Sequence, residues 1–174
     1  MSISNNIVPN NNEKVLDNDD FIVSKTDIKG KITYCNQIFK VMAQYDEEEL
    51  IGKPHNIIRH PDMPKIAFQV AWDLIQSGKE FFGFVKNLRH EGGFYWVFTT
   101  ITPDFDSGNN IIGFTSVRRK ANPDALNIII PLYRDLVNAE RTGGVSSSLK
   151  LISDLLESKK MEYNELIIAL QGDY

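Results

Sequence analysis

The sequence predicts an α+β fold: a five-stranded antiparallel sheet with helices on one face, followed by a C-terminal helical extension. Three observations carry this. Short β-type runs bounded by turn residues come as a pair near the start and as a group of three after residue 80. Between the two blocks the apolar residues recur at helical spacing. From residue 123 onward the spacing stays helical to the end. Helices gathered between two hairpin-like blocks give an antiparallel sheet with its helices kept together on one side.

The elements follow in order. Residues 1–19, with six asparagines in the first 18 positions, hold little that packs and read as a flexible arm. Phe21 to Lys25 and Lys31 to Cys35 flank Asp27 to Gly30, where Gly30 can take a positive φ; this is a β-hairpin. "NQIFKVMAQY" sets Ile38, Val41, Met42 and Tyr45 at helical spacing. "DEEEL" opens a second helical turn capped by Asp46. "KIAFQVAWDLIQSGK" is the clearest helix, with Ile66, Val70 and Leu74 on one face and Gly78 as its stop. Three longer β runs follow, joined at Gly92-Gly93 and at "DSGNN". Asn122 and Pro123 then cap and start a helical connector, residues 123–141, which Pro131 is expected to kink or break. After the "RTGG" linker, the tail at 142–174 carries Leu149, Ile152, Leu156, Tyr163, Leu166 and Leu170 on a heptad-like seam. That seam serves either to fold the tail back on its own domain or to pair it with another chain.

Composition narrows the function. The 174 residues are 42% hydrophobic, enough for one domain with a core plus an appendage. A net charge of −4 argues against a nucleic-acid reader. A single cysteine excludes a disulfide framework and any multi-cysteine metal site. No apolar run is long enough to span a bilayer as a helix, so direct membrane insertion is not expected. No nucleophile elbow, phosphate loop or triad is visible, so an enzyme is not expected either.

The stretch "HNIIRHPDMP", His55 to Pro64, is the unusual one. A basic pair, an acid and two prolines stand between an apolar run and a helix. In one reading they grip a ligand. In the plainer one, Asp62 caps a helix starting near Met63, Pro64 fills its first turn, and Arg59 and His60 face water. His55 and His60 are five apart, the wrong spacing for one metal-binding helical face.

The element order over about 100 residues suggests a PAS-type sensor module. "ITYCNQIF", "LIGKPHNIIRHPDMPKIAF", "FFGFVKNLRHEGGFYWV" and "IIGFTSVRRKANPD" then resemble the PAS domain of the bacterial aerotaxis transducer family, Aer, with residues 20–122 as the sensor domain. The resemblance implies a non-covalently held FAD whose redox state is reported to a partner. It carries Arg59, His60 and Asp62 onto the flavin-pocket block, Trp72 onto the following helix, and Asn36, His55, Asn87 and Tyr95 onto further pocket positions. Phe82 stands where the family often has tryptophan. A flavin needs a flat apolar slot, hydrogen-bonding groups at its polar ring edge and positive charge at its diphosphate. Trp72, Phe82, Phe84, Tyr95 and Trp96 are the aromatic candidates, Asn87 a ring-edge partner and Arg59 a phosphate ligand. Tyr95 and Trp96 must face opposite sides of a strand, and the resemblance favours Tyr95 inward. Cys35 ends a strand, away from the helix that carries the photoreactive cysteine of related LOV domains, and reads as a core residue.

Aer itself continues into a membrane anchor and a signalling domain. This sequence is more similar to the stand-alone PAS half of a two-protein energy-taxis system. That implies a cytoplasmic protein recruited to the inner membrane by a chemotaxis transducer in trans, through the transducer's HAMP or signalling region. A second copy, docking through the sheet face or the tail, is the other expected partner. Two alternatives stay open: a haem-binding gas sensor using one histidine, and a cofactor-free adaptor.

Overall fold

The computed structural model describes residues 7–174. β1 (Ile22–Asp27) and β2 (Ile32–Cys35) form the first hairpin. The carboxylate of Asp27 accepts hydrogen bonds from the N–H groups of Lys29 and Lys31, and Gly30 turns the chain at φ 78°. α1 (Gln37–Ala43) is capped by Asn36, whose Oδ1 accepts from the Phe39 and Val23 N–H groups. α1 buries Phe39, Met42 and Ala43 and leaves Val41 exposed, so its inner face is rotated from the expected Ile38–Val41 stripe. α2 (Glu47–Leu50) opens with a capping box between Asp46 and Glu49. A 3₁₀ turn at His55–Ile58 leads to α3 (Lys65–Gln76). β3 (Phe81–Leu88), β4 (Phe94–Phe105) and β5 (Ile111–Lys120) complete an antiparallel sheet of order β2-β1-β5-β4-β3.

Strand alternation assigns the two faces. Tyr95, Val97, Thr99 and Ile101 on β4, with Phe114, Ser116 and Arg118 on β5, face α1–α3. Trp96 and Phe98 point to the other side, where α4 (Pro123–Lys159) lies: the Tyr133 and Trp96 ring centroids are 6.1 Å apart. Ala125, Ile129, Tyr133 and Leu136 form its buried stripe. α5 (Tyr163–Gln171) returns to β3, with Tyr163 stacked on Phe81. Of the two readings of the tail, the fold-back is the one observed: Ile152 and Leu166 are buried in the domain, while Leu149 stays exposed. The helices of the sensor domain, α1–α3, keep to one face as expected, and the extension covers part of the other.

This extension also closes the open edge of β3. The Asn164 side chain accepts from the Phe82 N–H and donates to the Glu80 carbonyl, and the Tyr133 hydroxyl donates to the Phe84 carbonyl. An uncovered edge would offer those groups to another chain. The expected break at Pro131 is absent. Helical geometry runs through it, and the one non-helical residue inside α4 is Gly144, within the anticipated linker.

The N-terminal segment is not the free arm that its composition predicts. Residues 1–6 lie outside the described residues, but from Ile7 onward the chain is laid on the β3–β4 hairpin. Asn10 and Lys14 donate backbone hydrogen bonds to Gly92 and Phe94, each at 2.8 Å. Leu16 is 1% exposed, packed with the α1 core. Gly92 (φ 92°) permits this, since a Cβ there would collide with the Val8 carbonyl. Composition missed it because one well-placed leucine and a backbone ladder suffice to order a polar segment. Among the described residues, no helix is long and apolar enough to cross a membrane.

Candidate functional site

A cavity of about 230 Å³ lies between the inner sheet face, the 3₁₀ turn and α3. The sequence of α3 explains the void. Its inward positions include Ala67 and Ala71, which bring the helix to the sheet without filling the space between. Ile75, Phe81 and Phe84 add apolar walls. Trp72 stands on one side with its ring against Gly30 and edge-on to Phe114, centroids 5.6 Å apart. Lys29, Pro54 and Asn56, all exposed, form the mouth.

The polar side is more informative. Asn87 Nδ2, Thr99 Oγ1, and Arg118 Nε and Nη1, in residues that line the cavity, are buried without hydrogen-bond partners among the described residues. Buried donors are almost always satisfied in folded proteins. Several orphans around one cavity mark where a ligand's acceptors would sit. Arg118 is 2% exposed and its guanidinium lies 4.6 Å from the Phe39 ring centroid. Its Nη2 donates to Ser24 Oγ, which is 3.0 Å from His55 Nε2. Burial, with the Arg118 charge adding to it, pushes the His55 pKa down to about 3, so His55 is neutral at physiological pH. Burial also lowers Arg118, to about 10, and it remains a cation there.

Four of the nine expected residues line this cavity: His55, Arg59, Trp72 and Asn87. Arg59 pairs its backbone with Asn87 and lays its guanidinium 3.6 Å from the Phe68 ring centroid. Tyr95 points inward as expected but is wholly buried in the α1 core, and its hydroxyl is pushed up to about 12 by burial. Asn36 is the α1 cap. Phe82 faces the other side of the sheet, near Phe98.

The arginine–histidine–aspartate corner is divided. His60 is buried beside Phe94, 6.0 Å between centroids, and its Nδ1 accepts the Asp62 N–H. Burial and then the Lys86 charge lower its pKa to about 4. Asp62 is exposed and bonded to Lys86 at 2.7 Å. Asp62 does not cap α3 either. Glu140 of α4 does, accepting from the Lys65 and Ile66 N–H groups at 2.9 Å each. The turn through Pro61 sends successive side chains to different sides of the chain, which no periodic pattern predicts. Arg118 escaped the sequence reading, though parity with the inward Phe114 and Ser116 would have found it.

The sequence profile of the PAS fold matches residues 32–118. The chain belongs to the PAS family. It is 40% identical over 127 residues, 73% of its length, to the aerotaxis receptor of Escherichia coli, of which it spans 25%. The biofilm dispersion protein BdlA of Pseudomonas aeruginosa is 22% identical over 147 residues, covering 84% of this chain and 34% of that protein. The chain thus spans about a quarter and about a third of these two relatives. Among solved structures, the light-state LOV domain of the blue-light photoreceptor Aureochrome1 superposes with a TM-score of 0.56 at 19% identity, covering 64% of this chain and 88% of that one. That likeness shows the fold alone.

Proposed function

We propose that this PAS domain is a cytoplasmic redox sensor that holds FAD non-covalently, reports its state to a membrane chemotaxis transducer in trans, and has no catalytic turnover of its own. The observation that carries this is the cavity lined by unpaired buried donors in a chain 40% identical to an aerotaxis receptor. The lining fits a flavin. Trp72, Ile75, Phe84 and Phe114 give apolar walls, Asn87, Thr99 and Arg118 supply donors for the acceptor-rich ring edge, and Lys29 and Arg59 stand ready for a diphosphate. When bound, the flavin supplies reversible electron uptake.

The haem alternative is less well supported. His55, the histidine on the cavity, has Nε2 bonded to Ser24. His60 does not line the cavity. A cofactor-free adaptor would have to satisfy these buried donors with water held in the cavity.

The chain's part in signalling is to connect the cavity to its surfaces. Arg118, Ser24 and His55 form one hydrogen-bonded line from β5 through β1 to the 3₁₀ turn. α4 and α5 cover the β3–β4 side of the outer face, while Tyr34 and Val117 on β2 and β5 remain 48% and 38% exposed and offer a docking patch. A ligand shifts a conformational equilibrium only by binding its two states differently, so the redox forms must differ at this line of groups.

The test is reconstitution. Purified chain incubated with FAD and freed of excess by gel filtration is expected to keep flavin absorbance and to release FAD on denaturation. A protein that emerges colourless, or that takes up haem with a Soret band in preference to flavin, sinks the reading.

A further inference from the structure

Arg118 presents a problem that the fold alone does not solve. It is a wholly buried cation, and none of the ion pairs among the described residues includes it. Its one side-chain hydrogen bond among the described residues goes to a neutral hydroxyl, and the group beyond that, His55, is a neutral imidazole. The Phe39 ring offers only a weak quadrupole. Nε and Nη1 have no hydrogen-bond partner among the described residues, and the buried Tyr95 hydroxyl, which also acts on the guanidinium, is kept protonated by burial. Across the strand pair, Arg118 is in register with Thr99, whose hydroxyl is also unpaired, and Asn87 Nδ2 is unpaired on the same cavity. An uncompensated buried charge is among the costliest features a core can hold. Such an arrangement is preorganised for negative charge arriving from outside the chain.

We infer that Arg118 is the counter-charge for the reduced ligand and sets the direction of the sensor's redox bias. This rests on the flavin reading above. Reduction of the oxidised ring by two electrons from an external electron carrier, with one proton from water taken at the ring, leaves one negative charge on the acceptor-bearing edge. Arg118, Thr99 and Asn87 meet that edge. Because Arg118 gains more from the charged reduced form than from the neutral oxidised form, it raises the midpoint potential. Arg118 is a positioning and electrostatic residue that itself neither gains nor loses a proton or electron.

The experiment uses the full chain, with and without FAD. In the FAD-loaded protein, spectroelectrochemical titration of Arg118→Gln is expected to show a potential lower by 30 mV or more, a tenfold or greater loss of preference for the reduced form at two electrons. Arg118→Lys, which keeps the charge, should retain most of the wild-type value. Ser24→Ala frees Nη2 for the ligand and should move the potential upward, which keeps the test open if Arg118→Gln holds no flavin. An unchanged or higher potential in Arg118→Gln overturns the inference, as does an unmoved one in Ser24→Ala. The ligand-free protein gives an independent reading. Arg118→Met should melt no lower than wild type, because an unpaired buried cation has been removed; a marked fall would make Arg118 a structural residue and overturn the proposal. Wild-type chain that takes up no FAD would instead refute the flavin reading, and the melting result would still decide whether Arg118 waits for an anion.

Discussion

Removing the Glu140 carboxylate should loosen α3 from the C-terminal extension. Glu140 is a three-way joint. Its two oxygens accept the first-turn N–H groups of Lys65 and Ile66, and Ser148, beyond the Gly144 kink, donates to Oε1 at 3.0 Å. A side-chain cap contributes about 0.5–2 kcal/mol. Negative charge at a helix N-terminus adds about 0.3–1 kcal/mol. Glu140 is half-buried, so the lower part of each range applies, and Glu140→Ala should cost about 1–2 kcal/mol. Glu140→Gln keeps one acceptor oxygen and loses the charge, for about half that cost. In urea, with a slope of about 1–3 kcal/mol/M, the alanine variant should unfold roughly 0.5–1 M earlier. Hydrogen exchange supplies the local readout: the Lys65 and Ile66 amides should exchange about tenfold faster per 1.4 kcal/mol lost. Since α3 also walls the cavity, this joint ties the cavity to the extension. If Glu140→Ala left both the midpoint and those amides unchanged, the cap would be energetically idle and that tie would not exist.

Three further outcomes follow from the packing. Replacing Ala71 with leucine should project a larger side chain into the cavity and abolish FAD uptake while the far-ultraviolet dichroism stays native; full uptake would place the ligand elsewhere. Stability should fall as pH drops from about 6.5 to about 4. His55 and His60 have folded-state pKa values depressed to about 3 and about 4, so in that window the unfolded chain binds protons that the folded chain refuses. Urea midpoints across that range check the slope, and His60→Asn should flatten it. Leu16→Ala should cost about 2–5 kcal/mol in thermal or urea unfolding, because this arm residue is a core residue; a change near zero would return the arm to the solvent.

Much of the fold was legible because its signals are local. Gly30 and Gly92 mark real hairpins, the alternation on β4 separated Tyr95 from Trp96, and Asn36 and Asn122 cap the helices that follow them. A period fixes which residues share a face and leaves open what that face meets. On α1 and just after it, Met42 and Tyr45 are buried as their spacing predicts, while Val41 faces solvent and Phe39 takes its place in the core. The sequence by itself therefore determined the strand and helix order, the hairpin turns, the opposite facing of Tyr95 and Trp96 and the place of the motif-bearing turn. Only the tertiary structure decided that Arg59 meets the cavity while His60 and Asp62 turn from it, that Glu140 caps α3 from 74 residues away, and that the arm and tail pack back on the domain. It also decided that an unpaired arginine sits beside the space left by two alanines. The reason is physical. A void and an orphaned charge are defined by what distant segments fail to supply, and no stretch of chain encodes that failure locally.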